Sequence, residues 1–130
     1  MHLEQDIIDL VAAQPGIKLA ILFGSLSRGQ GRVDSDLDMA IAESQALTAA
    51  KKKDLIGKLA QITGRPVDLI DLQTASGTIL KQILTTGRLI YCMDRTLYAE
   101  IIKKMLFDQA DLMPYRDRIL TERRRAWIGD

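Results

Sequence analysis

The chain has few of the residues that mark secreted, membrane or nucleic-acid-binding proteins. Of its 130 residues one is cysteine and 5% are aromatic, and 18 Lys and Arg against 17 Asp and Glu leave a net charge of +1. The single cysteine, Cys92, excludes an internal disulfide and lies in an apolar stretch typical of a buried thiol. No apolar run approaches the roughly 20 residues that cross a bilayer, and a signal-peptide pattern is absent. We therefore expect a cytoplasmic protein with no membrane association and no stable nucleic-acid binding.

The remaining composition, 47% hydrophobic and 27% charged, is that of one globular domain. Apolar spacing and turn residues predict the order α-β-β-α-β-α-β-α-α, which is an α/β fold class. We expect a core over 17–92 and a C-terminal extension over 95–128, in which Pro114 separates two helices. Helices are predicted at 3–13, 48–62, 77–86, 95–110 and 115–128, and strands at 17–23, 37–42, 67–72 and 89–92.

Two aspartates interrupt the second predicted strand. Asp36 and Asp38 are one residue apart in SDLDMAI, so a strand places them on one face, about 6.6 Å apart between Cα atoms. Two carboxylates this close repel each other unless a cation lies between them. Mg²⁺ in proteins typically takes one or two carboxylates together with water and substrate phosphates. The pair alone fits a magnesium site and a plain polar turn about equally well.

A glycine-containing polar loop connects the first two strands. Gly24 and Ser25 follow the first strand directly, where glycine lets the backbone approach a ligand and successive N–H groups form an anion-binding concavity. Arg28 either clamps a phosphate or pairs with an acidic neighbour. A phosphate-binding loop and a metal site are therefore expected at adjacent strand ends.

The third predicted strand, PVDLIDL, offers a third carboxylate. Asp68 and Asp71 project to opposite faces of a strand, so only one of them can join the first two aspartates. Asp68 lies near the start of the strand and Asp71 near its end. Either would also fit as an acid without a chemical role, and the choice stays open at this point.

The spacing of these residues resembles the signature of the DNA polymerase β-like nucleotidyltransferase superfamily, namely Gly24-Ser25, ten intervening residues, then Asp36-x-Asp38. The fuller string G-S-x-x-R-G…S-D-x-D-x-A-I is similar to that of its smallest branch, the minimal nucleotidyltransferases, or MNT proteins. The resemblance covers residues 17 to about 92. It implies a polymerase β-like fold, in which a small mixed sheet is flanked by helices.

The resemblance also implies an ATP substrate, two Mg²⁺ ions and a set of site residues. In this family the α-phosphorus of the nucleotide is attacked and pyrophosphate leaves. The third carboxylate of the family falls on Asp68, which would take the proton of the acceptor hydroxyl, and Asp71 is the reserve. The implied nucleotide-binding residues are Gly24, Ser25 and Arg28, and the implied metal-binding and catalytic residues are Asp36, Asp38 and Asp68.

MNT proteins are paired with HEPN-domain ribonucleases in toxin–antitoxin systems, so the resemblance implies that this chain adenylylates a tyrosine of a HEPN toxin. A chain without a large second domain suits a protein acceptor better than a small molecule. Two alternatives are a non-catalytic antitoxin that covers its partner and nucleotidyl transfer to a small hydroxyl compound. The C-terminal helices offer a docking surface, or their residues fill the core or a homodimer seam. The residues concerned are Tyr98, Ile101, Ile102, Met105, Leu106, Tyr115 and Trp127, with a basic rim at 123–125.

Overall fold

The computed structural model describes residues 3–24 and 36–121, with side chains described up to residue 108. The alternation of helices and strands confirms the predicted α/β class. In chain order the elements are α1 (Leu3–Ala13), β1 (Leu19–Phe23), β2 (Leu37–Ala42), α2 (Ala49–Thr63), β3 (Val67–Asp71), α3 (Gly77–Thr86), β4 (Arg88–Cys92) and α4 (Arg95–Thr121).

Within these ranges four strands form one mixed sheet in the order β3-β2-β1-β4. β1 pairs antiparallel with both β2 and β4, whereas β2 and β3 are parallel. All five residues of β1 are buried, since the strand is central and helices cover both faces. On one face Leu22 and Met39 pack against α1 and α2, and on the other Ile21 and Ala40 pack against α3 and α4.

Local sequence signals set the limits of α2. The side chain of Thr48, at the N-cap, accepts a hydrogen bond of 3.1 Å from the backbone N–H of Lys51. Gly64 ends the helix in the left-handed conformation, with φ at 67°. Both residues follow the rules that predict helix ends from sequence, and the predicted helix is within one residue of the observed one at each end.

The C-terminal region differs from the prediction. The expected break at 111–114 is wrong, because the backbone is helical from Arg95 to Thr121 and one helix replaces the predicted two. A proline inside a helix costs about 3 kcal/mol and one hydrogen bond, and the good helix formers Ala110, Leu112 and Met113 on its N-terminal side oppose a break. Residues 122–128 of the last predicted helix lie outside the described residues.

The apolar residues of α4 are divided between core and surface. Ile101 and Met105 are buried in the cluster on the α3 side of the sheet, so a docking role is wrong for these two. Tyr98 and Ile102 are partly buried against the same cluster. Leu106 is exposed, while the side chain of Tyr115, the whole of Trp127 and the rim at 123–125 lie outside what the structure describes. Neither α4 nor any other helix in the described ranges is both long enough and apolar enough to cross a membrane.

Candidate active site

The sheet brings three of the predicted acids together at one end. Asp38 is the second residue of β2 and pairs with Phe23 of β1, and Asp36 lies just before the strand. The parallel register of β2 and β3 places Asp68 directly beside Asp38. Strands in a sheet lie about 4.8 Å apart, so these two carboxylates are neighbours on one face.

The face on which these acids lie follows from their strand neighbours. Ala40, two residues after Asp38, and Ile70, two residues after Asp68, both pack in the cluster formed with α3 and α4. Since side chains two residues apart share a face, Asp38 and Asp68 point to that same side of the sheet. The backbone N–H of Leu37 donates to the carbonyl of Pro66 at 2.8 Å, which holds the starts of the two strands level.

The neighbouring acids act on the carboxylate of Asp38. The pKa of Asp38 is raised above its usual value, first because partial burial removes water from the carboxylate and then because Asp68 and Asp36 add negative charge beside it. Asp36 and Asp68 are both exposed. The arrangement therefore concentrates negative charge at a site that solvent and a ligand can reach, and a cation would be attracted to it.

Gly24 lies against this carboxylate. Its φ is +77°, a conformation that favours glycine, and a Cβ at this position would overlap Oδ2 of Asp38. Glycine is thus required here by the backbone conformation and by the close approach of the acid. The sequence predicted the backbone approach to a ligand but missed this contact, because it joins residues on two different strands.

Asp71, the reserve for the third acid, has a different task. Its side chain points to the opposite face and is 7% exposed. Oδ2 accepts a hydrogen bond of 2.7 Å from the backbone N–H of Leu47, and Oδ1 accepts one of 2.9 Å from that of Gln73. Because both oxygens hold backbone segments in place, the geometry favours Asp68 as the partner of Asp38. An aspartate that binds the N–H two residues later is a known turn signal, which the sequence carries in DLQT.

The donor set fits a hard divalent cation. Carboxylate oxygens are the ligands that Mg²⁺ prefers, and the absence of a Cβ at Gly24 is what allows Oδ2 of Asp38 to lie there. Among the residues that the structure describes, no three His, Cys, Asp or Glu side chains already enclose a common point. Like charges turn apart when no cation lies between them, so metal binding requires the three acids to rotate towards each other.

Two predicted nucleotide-binding residues, Ser25 and Arg28, lie outside the described residues, as does the rest of the loop at 25–35. Their roles stay predictions. The described end of β1 and the start of β2 nevertheless fix where the loop departs and returns, on either side of the contact between Gly24 and Asp38.

Comparison with known sequences gives two findings. Residues 5–96 match the family described as Polymerase beta, Nucleotidyltransferase. The protein adenylyltransferase MntA of Shewanella oneidensis is 35% identical to this chain over 77 residues, which cover 59% of this chain and 55% of MntA. The match therefore spans about half the length of that curated relative.

Comparison with solved structures extends the match along the chain. A toxin–antitoxin crystal structure with AMP-PNP superimposes with a TM-score of 0.71 at 30% identity, covering 91% of this chain and 98% of the other. A structure of the tri-AMPylated Shewanella oneidensis HEPN toxin with its MNT antitoxin gives a TM-score of 0.66 at 29% identity, covering 92% of this chain and 97% of the matched one. Both matches extend beyond residue 96 into α4, because residues 1–96 alone are too few for this coverage.

Proposed function

The chain belongs to the polymerase beta nucleotidyltransferase family, and from this premise we propose that it is an ATP-dependent protein adenylyltransferase that acts as the antitoxin of a HEPN-domain toxin. The observation that carries the proposal is the pairing of Asp38 with Asp68 across β2 and β3, with Gly24 against the first of them. This arrangement supports the proposal because it concentrates negative charge, which would attract a metal ion, beside a backbone without a Cβ.

The relatives supply the reaction class. MntA is named a protein adenylyltransferase, and one matched structure contains a HEPN toxin that carries three AMP groups. Another matched structure contains the ATP analogue AMP-PNP. This chain shares the fold of the matched antitoxins over nine-tenths of its length, which supports ATP as the nucleotide and a HEPN toxin as the acceptor.

The residues of the site divide the chemistry as follows. The backbone at Gly24 approaches the triphosphate, and Ser25 and Arg28 complete its binding. Asp36, Asp38 and Asp68 would hold Mg²⁺, which would supply positive charge beside the phosphates.

Asp68 has a second task as a general base. It lies exposed on the edge strand β3, where an acceptor can reach it, and accepts the proton of the acceptor hydroxyl. A tyrosine hydroxyl has a free pKa of about 10, so a base is needed at neutral pH. The hydroxyl oxygen forms a bond to the α-phosphorus, and the bond to the bridging oxygen breaks, so that pyrophosphate leaves with that electron pair.

The experiment mixes the chain with Mg²⁺, ATP and a HEPN toxin, and measures the intact masses of both proteins. We expect the toxin to gain AMP when it is mixed with the wild type, and to gain no AMP when it is mixed with the double variant Asp36→Asn/Asp38→Asn. Asp54→Asn is the matched control, because Asp54 is an exposed acid of α2 paired with Lys58 and distant from the site. If the wild type adds no AMP and the double variant still neutralises the toxin as well as the wild type does, the protein is a steric antitoxin.

A further inference from the structure

The path of α4 across the sheet indicates where a large acceptor would bind. α4 begins after β4, at one edge, where the N–H of Met93 donates to the carbonyl of Lys18. Nine residues into the helix, Nζ of Lys104 donates at 3.0 Å to the carbonyl of Ala75, which follows β3 at the opposite edge. Nine residues rise about 14 Å along a helix, which equals three strand spacings. The first ten residues of α4 therefore lead from the end of β4 to the segment that follows β3.

The rest of α4 continues beyond the edge strand β3. From Lys104 to Thr121 the helix extends about 25 Å further. β3 is the strand that carries Asp68, and no further strand pairs with it in the described ranges. The catalytic edge of the sheet and the departing helix thus lie on the same side of the molecule.

Two apolar side chains lie exposed where α4 leaves the sheet. Leu106 is 53% exposed and Phe107 is 56% exposed, and they are adjacent in sequence. The ammonium of Lys103 lies 5.4 Å from the centre of the Phe107 ring. The buried stripe of Ile101 and Met105 faces the sheet, so these exposed residues lie on the flank and the outer side of the helix. We refer to Leu106 and Phe107 as the α4 patch.

We propose that the α4 patch is the docking surface for the protein acceptor of the adenylyl group. The inference rests on the proposed function, since only a protein acceptor reaches both places. An acceptor that presents a hydroxyl to Asp68 must cover the outer edge of β3. A standard interface buries about 800 Å² on each partner, which is some 30 Å across. Lys104 bonds to Ala75, which follows the end of β3 that lies about 10 Å along the strand from Asp68, and we place the patch within an interface of this width.

The matched complexes support a HEPN toxin rather than a second copy as the occupant. Two of the matched chains come from toxin–antitoxin structures, and both matches extend into α4. Aromatic side chains such as that of Phe107 are enriched at the core of protein interfaces. A HEPN toxin with an apolar recess beside the tyrosine it presents would fit this surface.

The test replaces both patch residues in one variant, Leu106→Ser/Phe107→Ser. Ile62→Ser is the matched control, because Ile62 is 41% exposed on α2, on the other side of the sheet. Binding of the cognate HEPN toxin is measured by calorimetry in the Asp38→Asn background, and AMP transfer is measured with the native aspartate. We expect the patch variant to bind the toxin at least tenfold more weakly, with a raised KM for the toxin, an unchanged kcat and an unchanged affinity for AMP-PNP.

The outcomes separate this inference from the proposed function. If the patch variant binds toxin as tightly as the Ile62→Ser control does, or if the wild type does not bind toxin, docking on α4 is wrong. A wild type that binds toxin through the patch but transfers no AMP would leave the docking surface in place and overturn the chemistry. If the patch variant instead converts a dimer of this chain to a monomer while toxin binding is unchanged, the patch is a seam between two copies.

Discussion

Asp68 and Asp71 lie three residues apart on one strand, and we propose different tasks for them, catalytic for Asp68 and structural for Asp71. The variant Asp71→Asn should therefore lower stability and leave activity nearly unchanged. The variant Asp68→Asn should lower activity and leave stability nearly unchanged. Both substitutions remove one negative charge and keep the side-chain shape. Because the chemical change is the same in both variants, any difference between them comes from the position of the carboxylate.

The size of the stability effect follows from the hydrogen bonds of Asp71. Each oxygen accepts one backbone N–H, from Leu47 or Gln73, and a hydrogen bond to a charged group contributes about 1.5–3 kcal/mol. Asparagine keeps one acceptor oxygen and turns its amide N–H₂ towards the other backbone donor. We expect a loss of about 2–4 kcal/mol in the free energy of unfolding, since one bond is lost and a buried donor is left unpaired.

The assays are urea unfolding and AMP transfer to the toxin. Asp71→Asn should lower the urea midpoint without a change in m, and transfer at 25 °C should stay within a few-fold of the wild type because most molecules remain folded. Asp68→Asn is exposed and should change stability by about 0.5 kcal/mol or less, while transfer falls at least about 100-fold. Normal transfer by Asp68→Asn, together with an inactive but stable Asp71→Asn, would refute the assignment of the third carboxylate.

Two further predictions concern glycines. Gly24→Ala should reduce kcat/KM for AMP transfer by about 100-fold and unfolding free energy by about 1–2 kcal/mol, because its Cβ displaces the Asp38 carboxylate. Unaltered AMP transfer by this variant would show that the contact between Gly24 and Asp38 does not matter for activity. Gly57→Ala, in the interior of α2 with nothing near its Cβ, should raise the free energy of unfolding by about 0.5–1 kcal/mol. Gly87→Ala should lower the free energy of unfolding, because a Cβ would lie 2.5 Å from a backbone oxygen of α3. Thermal melts of the Gly57→Ala and Gly87→Ala variants measure both effects.

Much of the fold is predictable from sequence because its signals are local. The buried run of β1, the cap at Thr48 and the left-handed glycine at Gly64 each depend on residues within one element. The C-terminal helix was mispredicted because Pro114 is a strong local signal that gives no information about the residues around it. Whether a proline ends a helix or only interrupts one hydrogen bond depends on the competing helical preference of its neighbours.

The sequence predicted the residue types of the candidate site, but it did not determine which acid of the third strand lies beside Asp38. The spacing of Gly24, Asp36 and Asp38 suggested the chemistry, but the sequence alone left Asp68 and Asp71 as alternatives. Only the parallel register of β2 and β3 places Asp68 beside Asp38. Register depends on contacts between strands that are distant in sequence, so a single sequence does not determine it.

The central claim is that Asp36, Asp38 and Asp68 jointly hold metal ions beside a triphosphate that lies against Gly24. A crystal structure of the chain with Mg²⁺ and AMP-PNP tests it most directly. The account predicts metal density beside all three aspartates, with the phosphates of the analogue next to it and close to Gly24. Nucleotide bound at another surface, or metal held without Asp68, would contradict it.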